Sequence, residues 1–371
     1  MSRQQIAVQV LPDGHIQARQ WSNDATVDGR VETSKLDAEL IRLFEGWLSE
    51  RGRAWTDDEI RVFGTLLHRA LFPAEVWTWI QDRIDHRGDD IVGISLSFPA
   101  DGAGSQLASV PWEYLYVPER NRTRGYFLAN EPGIVLSRYV PSGVPVPAAP
   151  PMAGVLPVVA DADPVRLGPV DAEPVLAAIR ETVEPLGFSL VETLINPTAA
   201  RFDACVAESR PTLVHFMGHG SFDQVTGIGT IAVSAPDGGT EWISAVQLGR
   251  LIGRPGSVPR VVILHACDGG RLDFRFRFAG LAPELLRNGV HCVIAMQYAI
   301  TNETAIAFST ALYDEMGRGH SLDVAVQTCR QRLADQLRTS PQLLGIPMIY
   351  LSSSDPIWAI EPAATAEGTT P

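Results

Sequence analysis

The sequence predicts an α/β protein: a mostly parallel central sheet with helices on both faces, preceded by an α+β N-terminal region. Three observations predict it. From about residue 152 onward, short apolar runs alternate regularly with segments of helical period. Such alternation demands right-handed crossovers and a sheet covered on both sides. Before residue 141 the order is mixed, with one strand-like run, then helical patterns, then further strands. Between the two lies PSGVPVPAAPPMAG, whose five prolines fix φ and remove backbone donors, so it reads as an extended connector. The expected organisation is residues 1–140 as the N-terminal region, 141–154 as a Pro-rich linker, 155–360 as the main α/β domain, and 361–371 as a disordered tail.

Each element has its own signal. IAVQVL is strand-like, and Leu36, Leu40, Leu43 and Trp47 fall on one helical face. Thr56 with Glu59 forms a capping box that opens a helix carrying Ile60, Phe63, Leu67 and Leu71. A helix through Val76, Ile80 and Ile84 leads to IVGISLSF, which alternates like a strand; PWEYLY, a short strand around Phe127 and IVLSRYV follow. In the second part MAGVLPVVA reads as a buried strand, 172–186 as a helix, FSLVETLI as a strand, 198–208 as a helix, and TLVHFM and IGTIAV as strands. Ser244 with Gln247 is a second capping box, on a helix that stops near Gly253. RVVILHA (strand), 279–288 (helix) and HCVIAM (strand) come next. Two helices then place Ala305, Phe308, Leu312 and Met316, and Leu322, Val326, Cys329 and Leu333, on apolar faces before a last strand, IPMIYL.

Composition bounds the function. The chain has 371 residues, 45% hydrophobic and 20% charged, with a net charge of −13, which excludes a disordered or fibrous protein. At this length two cores, or one of double size, are expected. Lys35 is the only lysine and the arginines are scattered, so no basic stripe exists for a nucleic-acid backbone. No apolar run is long enough to span a bilayer, and MSRQQIAVQV lacks the pattern of an export signal. Cys205, Cys267, Cys292 and Cys329 form no CxxC pair and no disulfide framework, so a reducing cytoplasm is the expected compartment.

In an open α/β sheet the reactive groups gather at the carboxyl ends of strands. TLVHFM ends in Gly218-His219-Gly220-Ser221, and RVVILHA ends in Cys267-Asp268-Gly269-Gly270. A thiol and an imidazole at the ends of adjacent strands make a nucleophile and its base, the imidazole taking the thiol proton and returning it to a leaving amine. The rival for Cys267 is a buried core cysteine, but it sits after an apolar strand and before Asp-Gly-Gly; Cys205, Cys292 and Cys329 read as core. His215 and His265 lie inside strands and read as packed or hydrogen-bonded. Zinc held by His215, His219, His265 and Cys267 is weighed against, because HxxxH suits a helix face and here spans a strand and a turn.

LVHFMGHGSFD, VVILHACDGG and the long run from NGVHCVIAM to SLDVAV resemble the CHAT family of caspase-like cysteine peptidases. VLPVVADADPVRLGPVDAEPVLAAI resembles that family's first strand, substrate loop and first helix, and SVPWEYLY its upstream PWE motif, so the resemblance extends back to about residue 90. It implies a caspase-like fold with 155–360 as the catalytic domain. It also implies a cysteine endopeptidase working through a thioester, with Cys267 as nucleophile, His219 as base and acid, and the backbone N–H groups of Gly220 and Cys267 facing the oxyanion. No metal or cofactor is needed by that chemistry. Asp161, Asp163 and Arg166 fall in the loop that shapes the pocket for the residue before the cut, with Asp268 beside the nucleophile. Two carboxylates against one guanidinium tilt the expectation toward basic substrates, with solvated loop charges as the equal alternative. RLDFRFRF departs from the family pattern and reads as a strand with one basic face, either a substrate or activation loop or a protected edge. The resemblance further implies a protein substrate, latency until a regulatory partner or a cleavage acts, and bacterial signalling or defence. The alternative is a catalytically idle module of the same fold that only binds proteins.

Overall fold

The computed structural model describes residues 3–21, 25–32, 55–100, 105–119, 124–141, 154–183, 185, 188–223, 228–254, 256–266, 280–298, 300–336 and 341–353. The helix expected around Leu36 to Trp47, the linker from 142 to 153, the RLDFRFRF segment and the 361–371 tail lie outside them. The strands are β1 (Arg3–Val10), β2 (His15–Gln20), β3 (Thr26–Arg30), β4 (Ile91–Ser97), β5 (Tyr116–Val117), β6 (Tyr126–Phe127), β7 (Ile134–Tyr139), β8 (Gly154–Ala160), β9 (Ser189–Leu190), β10 (Leu194–Ile195), β11 (Leu213–Gly218), β12 (Gly220–Asp223), β13 (Ile228–Ser234), β14 (Thr240–Ser244), β15 (Val261–Ala266), β16 (Cys292–Met296) and β17 (Pro347–Leu351). The helices are α1 (Asp57–Leu71), α2 (Ala74–Asp85), α3 (Pro164–Leu167), α4 (Glu173–Val183), α5 (Ala199–Ser209), α6 (Ala245–Ile252), α7 (Ala282–Arg287), α8 (Asn302–Gly317) and α9 (Leu322–Gln336).

Twelve strands form one sheet in the order β10-β8-β11-β15-β16-β17-β7-β4-β1-β2-β3, with β9 also paired to β8. Neighbours run parallel except at β16–β17, β1–β2 and β2–β3. The continuous apolar runs explain the parallel centre: all seven residues of β8 and all six of β11 are buried, as strands covered on both faces must be. IVGISLS of β4 is buried on both faces too, so its apparent alternation is not a half-exposed pattern. Helices α4, α8 and α9 pack together over one face, and α5, α6 and α7 over the other. Side chains sort accordingly: Val214, Phe216, Val262 and Leu264 meet Phe202 of α5 and Leu248 of α6, while His215 and His265 meet Tyr313 and Phe308 of α8. Both capping boxes form, Thr56 with Glu59 on α1 and Ser244 with Gln247 on α6.

FSLVETLI makes two two-residue strands rather than one. IGTIAV leaves the main sheet altogether and becomes the middle strand of an antiparallel β12-β13-β14 sheet. The β2–β3 hairpin extends the main sheet beyond β1, an addition that short polar strands did not announce.

The N-terminal strands β1, β4 and β7 continue the main sheet by way of β17, and one apolar cluster runs from Ile6 to Leu351. The β7–β17 ladder is short, Arg138 opposite Tyr350 and Tyr139 opposite Leu351. Where it lapses, the buried Arg330 bridges the gap: Nε and Nη2 donate to the Pro347 carbonyl at 2.9 and 2.7 Å, and Nη1 donates to Leu136 at 2.9 Å. Arg138 meanwhile makes a two-pronged ion pair with Glu113 of the PWE segment, at 2.9 and 2.7 Å, and donates to the carbonyls of Ala108 and Val110. Both partners are nearly fully buried. Helix α1 closes on the same segment at Gly64, where a Cβ would lie 2.2 Å from the Tyr114 carbonyl oxygen. Among the described residues no helix is long and apolar enough to cross a membrane.

Candidate active site

The carboxyl ends of β8, β11 and β15 lie side by side, with Gly218 paired to Ala160 on one side and to Ala266 on the other. His219 follows Gly218 directly and is 1% exposed. Its backbone is fixed before by β11 and after by β12, and its carbonyl accepts the Ala232 N–H at 2.9 Å. The ring is fixed as well: Nε2 lies 3.0 Å from the Gly168 carbonyl oxygen. A carbonyl can only accept, so Nε2 carries the proton and Nδ1 is the basic nitrogen. Gly220 opens β12 opposite Ile231.

Gly168 ends the short helix α3 at φ +86°, a backbone that suits glycine and aims its carbonyl back at His219. The acidic loop that carries it is held by its own side chains. Asp161 Oδ1 accepts the Val170 N–H at 3.2 Å, and the Asp161 N–H donates to Asn196 Oδ1 at 2.7 Å. Asp163 caps α3 through the Arg166 N–H and pairs with the Arg166 guanidinium at 3.4 Å. Of the residues expected to meet substrate, Asp161 and Asp163 therefore shape the loop, and Arg166 is tied to Asp163. Val165, 88% exposed, stands at the loop's tip. Cys267 and Asp268, the expected nucleophile and its neighbour, lie outside the described residues.

Sequence reasoning missed Gly168 and Asn196. Asn196 sits at φ +48° before Pro197, and its N–H donates to the Val159 carbonyl at 2.7 Å, so it locks the end of β8. An Asn-Pro pair after a strand was the available signal. His215 and His265 are fully buried and hydrogen-bonded, Nε2 to Nδ1 at 3.2 Å, and His215 Nδ1 lies 3.0 Å from Tyr313 Oη. Burial, then the His265 neighbour, hold His215 well below its ordinary range, and burial pushes His265 down to about 4. Cys205, Cys292 and Cys329 are buried, and burial raises each thiol, which makes them inert fillers. Among the described residues no three His, Cys, Asp or Glu side chains are grouped to hold a metal ion.

A family model for the CHAT domain matches residues 63–360. The chain belongs to the CHAT domain family. Its fold is also similar to that of separase from Saccharomyces cerevisiae, crystallised with securin. That structure aligns with a TM-score of 0.51 at 11% identity over 94% of this chain, which spans only 30% of the separase chain. Gingipain R, an Arg-specific cysteine proteinase, aligns with a TM-score of 0.50 at 9% identity over 89% of this chain and 78% of that one. At such identities the likeness is one of fold: the CHAT chain has the caspase-like α/β architecture. A search of curated proteins finds no match.

Proposed function

We propose that this CHAT protein is a cysteine endopeptidase with Cys267 as nucleophile and His219 as general base and acid. One observation carries the reading. Gly218 and Ala266 are register partners on adjacent parallel strands, about 4.8 Å apart, and the next residues along the chain are His219 and Cys267. The immobilised imidazole supports it further, since a base must be in place before the nucleophile can use it.

In this reaction His219 Nδ1 takes the Cys267 thiol proton as the sulfur attacks the scissile carbonyl. The N–H groups of Gly220 and Cys267 meet the developing oxyanion, each worth about 3 kcal/mol. Collapse breaks the C–N bond, and the amine leaves with the proton from His219. Water then attacks the thioester and gives its proton to the same nitrogen, releasing the acid and restoring the thiol. The Gly168 carbonyl accepts from Nε2 throughout, which steadies the imidazolium. Asp161 and Asp163 are engaged by their own loop, so a preference for a basic residue before the cut rests only on the loop's net negative charge. A protein substrate, a reducing cytoplasmic setting and control by a protein partner or a cleavage complete the proposal. Separase's crystal partner, securin, motivates the last of these.

The test is a peptide-library cleavage profile of the full chain beside Cys267→Ala and His219→Ala. Cleavage should fall by on the order of 10³ or more in either variant. Cutting predominantly after acidic residues would reverse the pocket assignment. A folded wild type that cleaves nothing and labels no faster at Cys267 than at its buried cysteines would be a binding module instead.

A further inference from the structure

The two contacts that hold His219 from outside its own strand lead to the same small group of apolar side chains. Its ring lies against the Gly168 carbonyl, and the residue before that glycine, Leu167, is buried. Its own carbonyl accepts the N–H of Ala232, which is buried as well. Leu167 and Ala232 pack with Ala162 in a cluster separate from the main core, and Trp242 lies against it, partly buried.

Strand alternation in the small sheet explains the cluster. β13 and β14 pair Ile231 with Ile243 and Ala232 with Trp242. Neighbouring side chains on a strand point to opposite faces. Ile231, Val233 and Ile243 accordingly enter the main core, while Ala232 and Trp242 meet Ala162 and Leu167 of the acidic loop. The loop's polar contacts do a different job. Asp161 to Val170 and Asp163 to Arg166 fix its internal shape, and Asn196 ties its first residue to the end of β10. None of these three bonds reaches β13 or β14. Leu167 and Ala162 are the loop's apolar contact with the sheet that also holds the His219 carbonyl.

We propose that Trp242 and Leu167 are positioning residues for His219. Their packing on Ala232 seats the loop so that the Gly168 carbonyl stays on Nε2, which keeps the ring in one tautomer with Nδ1 basic. The inference rests on His219 being the base of the proposed peptidase. A closely packed apolar contact fixes a distance, and a hydrogen bond weakens steeply once its acceptor withdraws or tilts. Because Trp242 is only partly buried and faces away from the main core, shortening it does not hollow that core.

The test is nuclear magnetic resonance of the full chain, labelled with heavy nitrogen in its histidines, in a Cys267→Ala background where no thiol proton is shared with the ring. His219→Gln on that background identifies the His219 signals. At alkaline pH the parent should show His219 as a single tautomer protonated on Nε2. Trp242→Ala and Leu167→Ala should each turn it into a mixture of both tautomers. With Cys267 restored, each should lower kcat roughly tenfold at nearly unchanged KM. Trp242→Phe, which keeps an apolar ring, should retain the single tautomer and most of the rate. Ile243→Val, on the opposite face of β14, should cost stability without changing the tautomer. If the alanine variants lose their thermal transition, Leu167→Val decides by the same signals. A parent that already shows both tautomers, folded variants that keep the single one, or an equal shift in Ile243→Val would each overturn the positioning role. If the tautomer responds as expected while the chain with Cys267 cleaves no peptide, the seat of the ring stands and the peptidase reading falls.

Discussion

His219 is held at three points, by the β11 ladder, by the Ala232 N–H on its carbonyl and by the Gly168 carbonyl on its ring. Substituting Gly168 by Val should lower cleavage without unfolding the chain, because a side chain at φ +86° strains the turn that aims this carbonyl. The comparison to make is the pH–rate profile beside the melting temperature. The buried histidines make a second prediction. His265 is held at about 4 by burial, below its ordinary 6.5, so between these values the unfolded chain binds a proton that the folded chain does not. Its contribution is fully present above about pH 6.5 and is lost as pH falls toward 4, costing about 3 kcal/mol. Urea melts at pH 7 and pH 5 should show most of this loss, and His265→Gln should reduce it, the remainder coming from His215, which burial also holds low. The ends of β11 and β15, at Gly218 and Ala266, were legible because an apolar run gives way there to glycines and polar groups. The Gly168 contact was not, since a carbonyl acceptor leaves no trace in residue identity.

Helix starts were the most legible elements, because a capping box is chemistry between residues three apart. Thr56 accepts the Glu59 N–H at 3.2 Å and Glu59 reaches back to the Thr56 N–H at 3.0 Å. Thr56→Ala should destabilise the chain by about 1 kcal/mol in urea, and an unchanged midpoint would mean that α1 draws nothing from its cap. The strand IGTIAV was recognised but not its sheet. An apolar run states that a strand is buried, not which neighbours bury it. The same limit applies to β17, whose antiparallel pairing to β16 lets it meet β7 in parallel.

Across the whole molecule, the seam between β7 and β17 joins the N-terminal strands to the strands that lead to the site. Two ladder pairs alone are a weak joint; the guanidinium of Arg330 crosses it, and the Arg138–Glu113 pair ties β7 to the PWE segment beside it. Burial pulls the Arg330 guanidinium down to about 10, the cost of holding a cation on backbone carbonyls. Glu113→Gln would strand Arg138 inside without its counter-charge and should destabilise by about 3 to 5 kcal/mol. Because the apolar cluster is continuous, wild type should melt in one transition by fluorescence and by circular dichroism. Two separated transitions would contradict a shared core.

The PWE segment, the two strand-end motifs and the alternation of strand and helix were fixed by residue identity, since each rests on contacts between near neighbours or on backbone period. Which strands adjoin, how a twelve-stranded sheet absorbs both parts of the chain, and why Asp161 and Asp163 turn inward to their own loop were decided only in three dimensions. Those outcomes depend on carbonyls, N–H groups and shared faces brought together from distant parts of the chain, and every residue carries the same backbone.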